Sequence, residues 1–377
     1  MAVAYTPGLK VSPQTQLRIR RSLPISGEVK VSIGQKVQPQ QVVAETLLPG
    51  NVYPLNISKM LSIPPAEVPG ALLKKQGDYV KVGETLARSK GIFGFFKNEL
   101  ASMYEGQIES ISKITGQVIL RGEPLPVQVK AFLNGTIVEV IPNEGVVIEA
   151  ETTFIQGIFG VGGETYGQIK VATKSAEEAL TPDFLDESMR GKIVIGGGRM
   201  TYEAVYKAID LGIAALVCGG IDDQDLKAIL GYDLGVAVTG SEKIGITLII
   251  TEGFGDITMA RRTYDLLKSR EGADAAVNGA TQIRAGVMRP EIVVPIDPKH
   301  VSKNAIEDTS AGGGVMEVGV SVRVIRDPYF GILGKVKALP HEPVVLESGS
   351  HARILQVETL DGKVLTVPRA NVELITR

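Results

Sequence analysis

The chain has 377 residues, a length that predicts two to three domains, and its 44% apolar and 22% charged residues are those of a folded globular protein rather than a disordered or collagen-like one. Lys+Arg 40 against Asp+Glu 42 leaves a formal charge of −2, so nothing global suggests wrapping around nucleic acid or an anionic membrane. One cysteine, Cys218, excludes an internal disulfide framework, an iron–sulfur cluster held by this chain alone and a Cys-rich zinc site, and three histidines (His300, His341, His351) argue against a His-based metal centre.

Residues 1–24 read as a basic N-terminal arm in which Lys10, Arg18, Arg20 and Arg21 are solvated or set against phosphates. Met1 to Pro13 lacks the basic-then-apolar order of a signal peptide, and no run approaches the ~18 apolar residues of a spanning helix. The expectation is a cytoplasmic protein without membrane contact. Zero Trp and 5% aromatics leave few platforms for base stacking.

Residues 25–170 read as short strands broken by Gly and Pro, and they repeat internally. Gly34-Gln35-Lys36-Val37 through Val42-Val43-Ala44 recurs forty-three positions later as Gly77-Asp78-Tyr79-Val80 through Thr85-Leu86-Ala87. Gly106-Gln107-Ile108 through Gly116-Gln117-Val118 recurs as Gly135-Thr136-Ile137 through Gly145-Val146-Val147. Two duplicated strand–turn–strand units predict a β structure with internal pseudo-symmetry. The run Gly77 to Ala87, G-D-x-V-x-x-G-x-x-L-A, with Glu105 to Ile111 after it, resembles the barrel-sandwich hybrid of biotinyl and lipoyl carrier domains. That resemblance implies the fold alone, because Lys97 in Phe95-Phe96-Lys97-Asn98-Glu99 lacks the carrier setting.

From 171 to 296 the pattern predicts a central, mostly parallel α/β sheet. Strands are expected at Lys192–Ile195, Ile213–Val217, Leu234–Val238 and Ile246–Ile250, with helices after Thr201, after Asp222 or Asp223, and from Asp256 to about Arg270. Each strand ends in glycine, and glycine lets backbone amides approach a phosphate at a helix start. Gly197, Gly198, Arg199, Gly219, Gly220 and Asp222 are therefore the candidate ligand-binding residues, Arg199 as a bidentate partner for phosphate or carboxylate. Neither the Walker-type nor the dinucleotide fingerprint is met, and tight strand-to-helix turns need the same glycines. Asp222, Asp223 and Glu252 are a candidate acidic cluster, or helix caps. Cys218 reads as a buried apolar thiol, since no histidine precedes residue 300.

Residues 297–317, with Asn304, Asp308 and Gly312-Gly313-Gly314, read as a linker, and 318–377 as β again. Val322 to Val336 runs strand, Pro/aromatic turn, Gly334, returning strand, and resembles the KOW motif of NusG-type elongation factors and ribosomal proteins. The resemblance implies an SH3-like barrel that binds RNA or protein. Its candidate partner-binding residues are Arg323, Arg326, Tyr329, Phe330, Lys335 and Lys337, where Arg326 departs from the small residue common in the family.

The expected fold is thus multidomain α/β plus β: a barrel-sandwich hybrid, a central mostly parallel α/β sheet and a C-terminal SH3-like KOW barrel. No catalytic residue, metal or cofactor is assigned. The function expected first is a non-catalytic adaptor or scaffold with protein partners. The alternatives are an RNA-, ribosome- or polymerase-associated factor, an α/β domain binding a small phosphate- or carboxylate-bearing ligand, and a self-assembling protein pairing through exposed β edges.

Overall fold

The computed structural model describes residues 9–89, 98–232, 242–281, 288–297, 316–325, 329, 331–340, 342–345, 351–359 and 362–374. Among these the chain is mainly β, with several sheets, one of them large and mixed, and a few short helices. The expectations for Lys97, Leu234–Val238, the glycine-rich linker, Arg326 and Phe330 lie outside the described residues.

Two long strands frame the N-terminal half. β1 (Val11–Ser22) pairs antiparallel with β2 (Gly145–Gln156), from Val11 opposite Ile155 to Ser22 opposite Gly145. The basic arm is therefore a sheet strand. Its alternation sends Leu17 and Ile19 toward an apolar core and Arg18 and Arg20 outward. Arg18 donates to Glu149 at 2.6 Å and Arg20 to Glu144 at 2.8 Å, while Arg21 holds both oxygens of Glu164 at 2.6 and 2.8 Å. In this structure these arginines are engaged by the chain's own carboxylates.

Between those strands the sequence repeat becomes a structural one. Gln35 N donates to Ser32 O and Gln41 N to Gln38 O; forty-three positions on, Asp78 N donates to Lys75 O and Glu84 N to Lys81 O. The side chains close the same turns, with Gln35 and Gln41 accepting from Ser32 N and Gln38 N, and Asp78 and Glu84 from Lys75 N and Lys81 N. Each copy then meets a returning hairpin, through Gly34 N to Ile137 O in one and Gly77 N to Ile108 O in the other.

The second copy is nested inside the first. Unit A comprises residues 28–48 and 125–149, and unit B, residues 52–121, is inserted between its halves. Unit B buries a core of its own around Val80, Leu86 and Ile108, whereas Val37, Val43 and Ile137 of unit A share theirs with Phe154, Ala276 and Val293. A neck of two adjacent segments, 49–51 and 122–124, joins them. There Gly122 N donates to Asn51 O at 2.8 Å, and a methyl group on Gly50 would collide with the Gly122 carbonyl.

The large sheet begins earlier than residue 171. Phe159–Val161 and β3 (Glu164–Val171), expected in the N-terminal domain, pair with the central strands. β3, β4 (Ile193–Ile195), β5 (Ala215–Ile221) and β6 (Thr247–Phe254) are parallel and adjacent in chain order. β7 (Asp274–Asn278) lies antiparallel beside β3, and β8 (Glu291–Pro295) links β7 to β2. One twelve-stranded mixed sheet therefore continues from the α/β part into unit A.

Helices cover both faces of its parallel portion. α1 (Tyr202–Leu211) and α2 (Asp223–Leu230) bury Ala204, Val205, Ala208 and Leu226 on one face; α3 (Arg261–Lys268) buries Tyr264 and Leu267 on the other. Thr201 caps α1 by accepting from Ala204 N, and Gly212 at φ 69° ends it. α3 starts at Arg261 rather than Asp256; residues 257–259 instead lie across Gly219 of β5 and the turn after β4, Met259 N donating to Gly197 O at 3.1 Å. At the C-terminus β9 (Ser321–Val324), β10 (Leu333–Ala338), β11 (Ile354–Thr359), β12 (Val364–Pro368) and β13 (Val372–Leu374) form an antiparallel sheet in the order β12-β11-β10-β9-β13. It encloses a core of Val322, Val324, Val336, Leu355, Val357 and Val372.

Candidate functional site

The glycine-rich edge of the parallel strands is filled by the chain itself. Gly219 and Gly220 are not in a strand-to-helix turn but within β5, which runs on to Ile221. Gly198 N donates to Glu178 O at 2.7 Å, Gly219 N to Gly198 O at 2.9 Å and Gly220 N to Gly198 O at 3.4 Å. Three expected phosphate donors are thus already bonded. A methyl group on Gly197 would collide with the Ser175 carbonyl, on Gly219 with the Met259 amide, and on Gly220 would stand 2.7 Å from the Gly255 carbonyl. Backbone crosses these positions, and that close approach by itself requires glycine there. Ligand crevices open where the order of parallel strands reverses, and β3-β4-β5-β6 follow one another without reversal.

Asp222 is the α2 cap, accepting from Gln224 N at 2.8 Å, so its carboxylate serves the helix. Asp223 beside it has its carboxyl raised by burial and then by the Asp222 charge. Arg199 stays half-exposed, its Nε 4.0 Å from Asp256. Glu252, grouped with Asp222 and Asp223 in the sequence reading, points elsewhere. Burial pushes the Cys218 thiol up to about 12, so it carries no thiolate near neutrality. Among the described residues no group of three or more His, Cys, Asp or Glu is placed to hold a metal ion.

Glu252 belongs to a buried ion network that fixes the C-terminal sheet to the central one. Its Oε1 accepts from Ala260 N at 3.1 Å and its Oε2 from Arg323 Nη2 at 3.0 Å. Arg323 Nη1 donates to Glu373 Oε1 at 2.7 Å, and Arg289 Nη2 donates to Glu373 Oε2. Two guanidinium groups thus balance two carboxylates. Arg289 Nη1 and Arg323 Nε are buried there without a hydrogen-bond partner. Gly253 on β6 leaves room for the Gly331 carbonyl, 2.8 Å from where a methyl would stand, and Ile325 packs into the α/β core.

Arg323 is therefore not presented to a partner: it is 2% exposed and bonded on both sides, a correction to its expected place on an open face. β9 alternates as a strand should, but the α/β part covers its outer side. Lys335 and Lys337 are both exposed on β10, alternating with the buried Gly334 and Val336, and Lys337 pairs with Glu358 at 2.8 Å. Tyr329 is also exposed. Sequence reasoning missed Arg289 and Glu373. Glu373 sits between Val372 and Leu374 in a strand buried throughout, and nothing local marks it as the partner of two arginines.

Two other features stand open. A cleft of about 1020 Å³ lies where β2 parts from unit A toward β8, bordered by Lys36, Gln38, Asn134, Glu151, Asp274 and Asp297. One end of unit B exposes Val82, Met103 and Tyr104. Compared with protein-family models and with curated proteins, the chain matches none.

Proposed function

We propose that the chain is a non-catalytic cytoplasmic adaptor, built from an N-terminal barrel-sandwich hybrid, an α/β body and a KOW-type SH3-like barrel, with protein partners bound at the Lys335 and Lys337 face. The observation that supports this most is the sealed glycine edge. The carboxyl ends of the parallel strands are crossed by residues 175–178 and 255–259, while Lys335 and Lys337 stand together in solvent. The body then acts as a support and the small β units as the recognition elements. RNA binding through the same two lysines is the second reading, favoured by their like charge on one strand.

Affinity capture from native lysate, with and without nuclease, tests both. Ribosomal or polymerase subunits that survive nuclease and vanish with Lys335→Glu/Lys337→Glu are the expected result. Subunits lost on nuclease treatment would instead favour RNA binding, and recovery of the chain alone would overturn the adaptor reading. Arg323 is unsuited to this test, since its loss breaks the buried network rather than a binding face.

A further inference from the structure

Units A and B present the same corner to different surroundings. In unit A the corner is Phe132 and Leu133, 6% and 0% exposed. They share a core with Phe154, Ala276 and Val293 of the large sheet, and the Arg21 guanidinium lies over the Phe132 ring at 5.5 Å. Twenty-nine positions earlier stand Met103 and Tyr104 of unit B, 59% and 39% exposed. Hydrogen bonds fix the equivalence, Ala131 N donating to Gln41 O in one unit and Ser102 N to Glu84 O in the other. Val82, 63% exposed, occupies the place of the half-buried Pro39. One duplicated corner is covered in the first copy and bare in the second.

The bare corner is preformed. Tyr104 stacks on Tyr53 at 4.2 Å between ring centroids with the planes 8° apart, and Ser102 Oγ donates to Tyr104 O at 2.6 Å. Ordered aromatic and thioether surface that stays in water is typical of an interaction face. Charges of both signs border it, among them the exposed Lys81 beside Val82 and the exposed Glu105 beside Tyr104. An apolar centre flanked by opposite charges complements itself under two-fold rotation, Lys81 of one protomer opposite Glu105 of its partner. The sheet face that fills the corner in unit A is already covered by unit A in every copy, so it cannot serve unit B. The neck also holds the corner free: among the described residues, the hydrogen bonds and ion pairs of unit B close within residues 49–124.

We propose that the chain forms a two-fold dimer through this corner, Val82, Met103 and Tyr104 of one protomer against the same three of its partner. The inference is independent of the adaptor reading, though a dimer would make an adaptor bivalent. Sedimentation velocity on the purified full chain, from about 1 to about 100 µM, should show a monomer–dimer equilibrium. Val82→Asp/Met103→Asp should weaken association about tenfold or more with the circular dichroism spectrum unchanged, since neither side chain is in a core. Lys81→Glu alone and Glu105→Lys alone should each weaken it, and the two together should restore it, which a merely structural role would not do. A monomer throughout that range, a dimer indifferent to the aspartate substitutions, or a double charge reversal that fails to restore association would overturn the proposal.

Discussion

Glu291 shows how one side chain sets a pH dependence. It sits half-buried on β8, opposite Gln156 of β2 and Asn278 of β7. Burial raises its carboxyl above the ordinary glutamate range, and the nearby Glu164 charge raises it further. Arg21 holds Glu164 through both of its Nη atoms. Folded protein thus binds this proton more tightly than unfolded chain does. The stability it contributes is fully present below the ordinary glutamate pKa and is lost as pH rises through the higher folded value. Glu291→Gln should flatten that decline and leave the protein more stable than its parent at pH 7. Denaturant midpoints from pH 4 to 8 would show this; an unchanged slope would place its source elsewhere.

At the scale of elements, the ion network behind the C-terminal sheet and the ion pair on its open face differ in kind. Arg323, Glu373, Arg289 and Glu252 are enclosed between the β9–β13 edge and β6, whereas Lys337 and Glu358 each remain about half exposed. Removing one member of a buried, hydrogen-bonded network leaves its partners charged and desolvated, a loss of about 3–5 kcal/mol. Arg323→Met should therefore lower the unfolding free energy by about that much, and Lys337→Met by less than about 1 kcal/mol, because water screens the exposed pair. Equal effects would mean that the network is open to solvent. The same contrast explains what was legible in the sequence. The forty-three-residue repeat could be read because its turns are closed by bonds three residues apart, Ser32 with Gln35 and Lys75 with Asp78. The burial of Arg323 could not, because alternation describes a strand and not what covers its second face. Gly197 and Gly219 were ambiguous for a related reason: a glycine making room for a phosphate looks the same in sequence as one making room for a carbonyl. The nesting of unit B was hidden too, since it depends on pairing between residues 28–48 and 125–149 rather than on any local signal.

At the scale of the molecule, the connections between units decide how it unfolds. The C-terminal sheet shares its ion network and Ile325 with the α/β core, and unit A shares a continuous sheet with it through β2, β7 and β8. Among the described residues these parts are joined by shared packing and strand pairing, so they are expected to melt together. Unit B stands apart, since its core is separate and its links run through Asn51 and Gly122. Small domains are the least stable, because about 60 residues bury only roughly 60% of their unfolded surface. At about 0.05–0.15 kcal/mol per residue, a unit of this size holds only several kcal/mol. Calorimetry of the full chain should accordingly resolve two transitions, the smaller at lower temperature. Asn51 O and Gly122 N are already 2.8 Å apart, so residues 52–121 can be excised and the ends rejoined with little strain on the remainder. That excision should remove the smaller transition and leave the larger one nearly unmoved. A single transition in the full chain, or collapse of the larger one on excision, would mean that the neck couples unit B to the body more tightly than its few bonds imply.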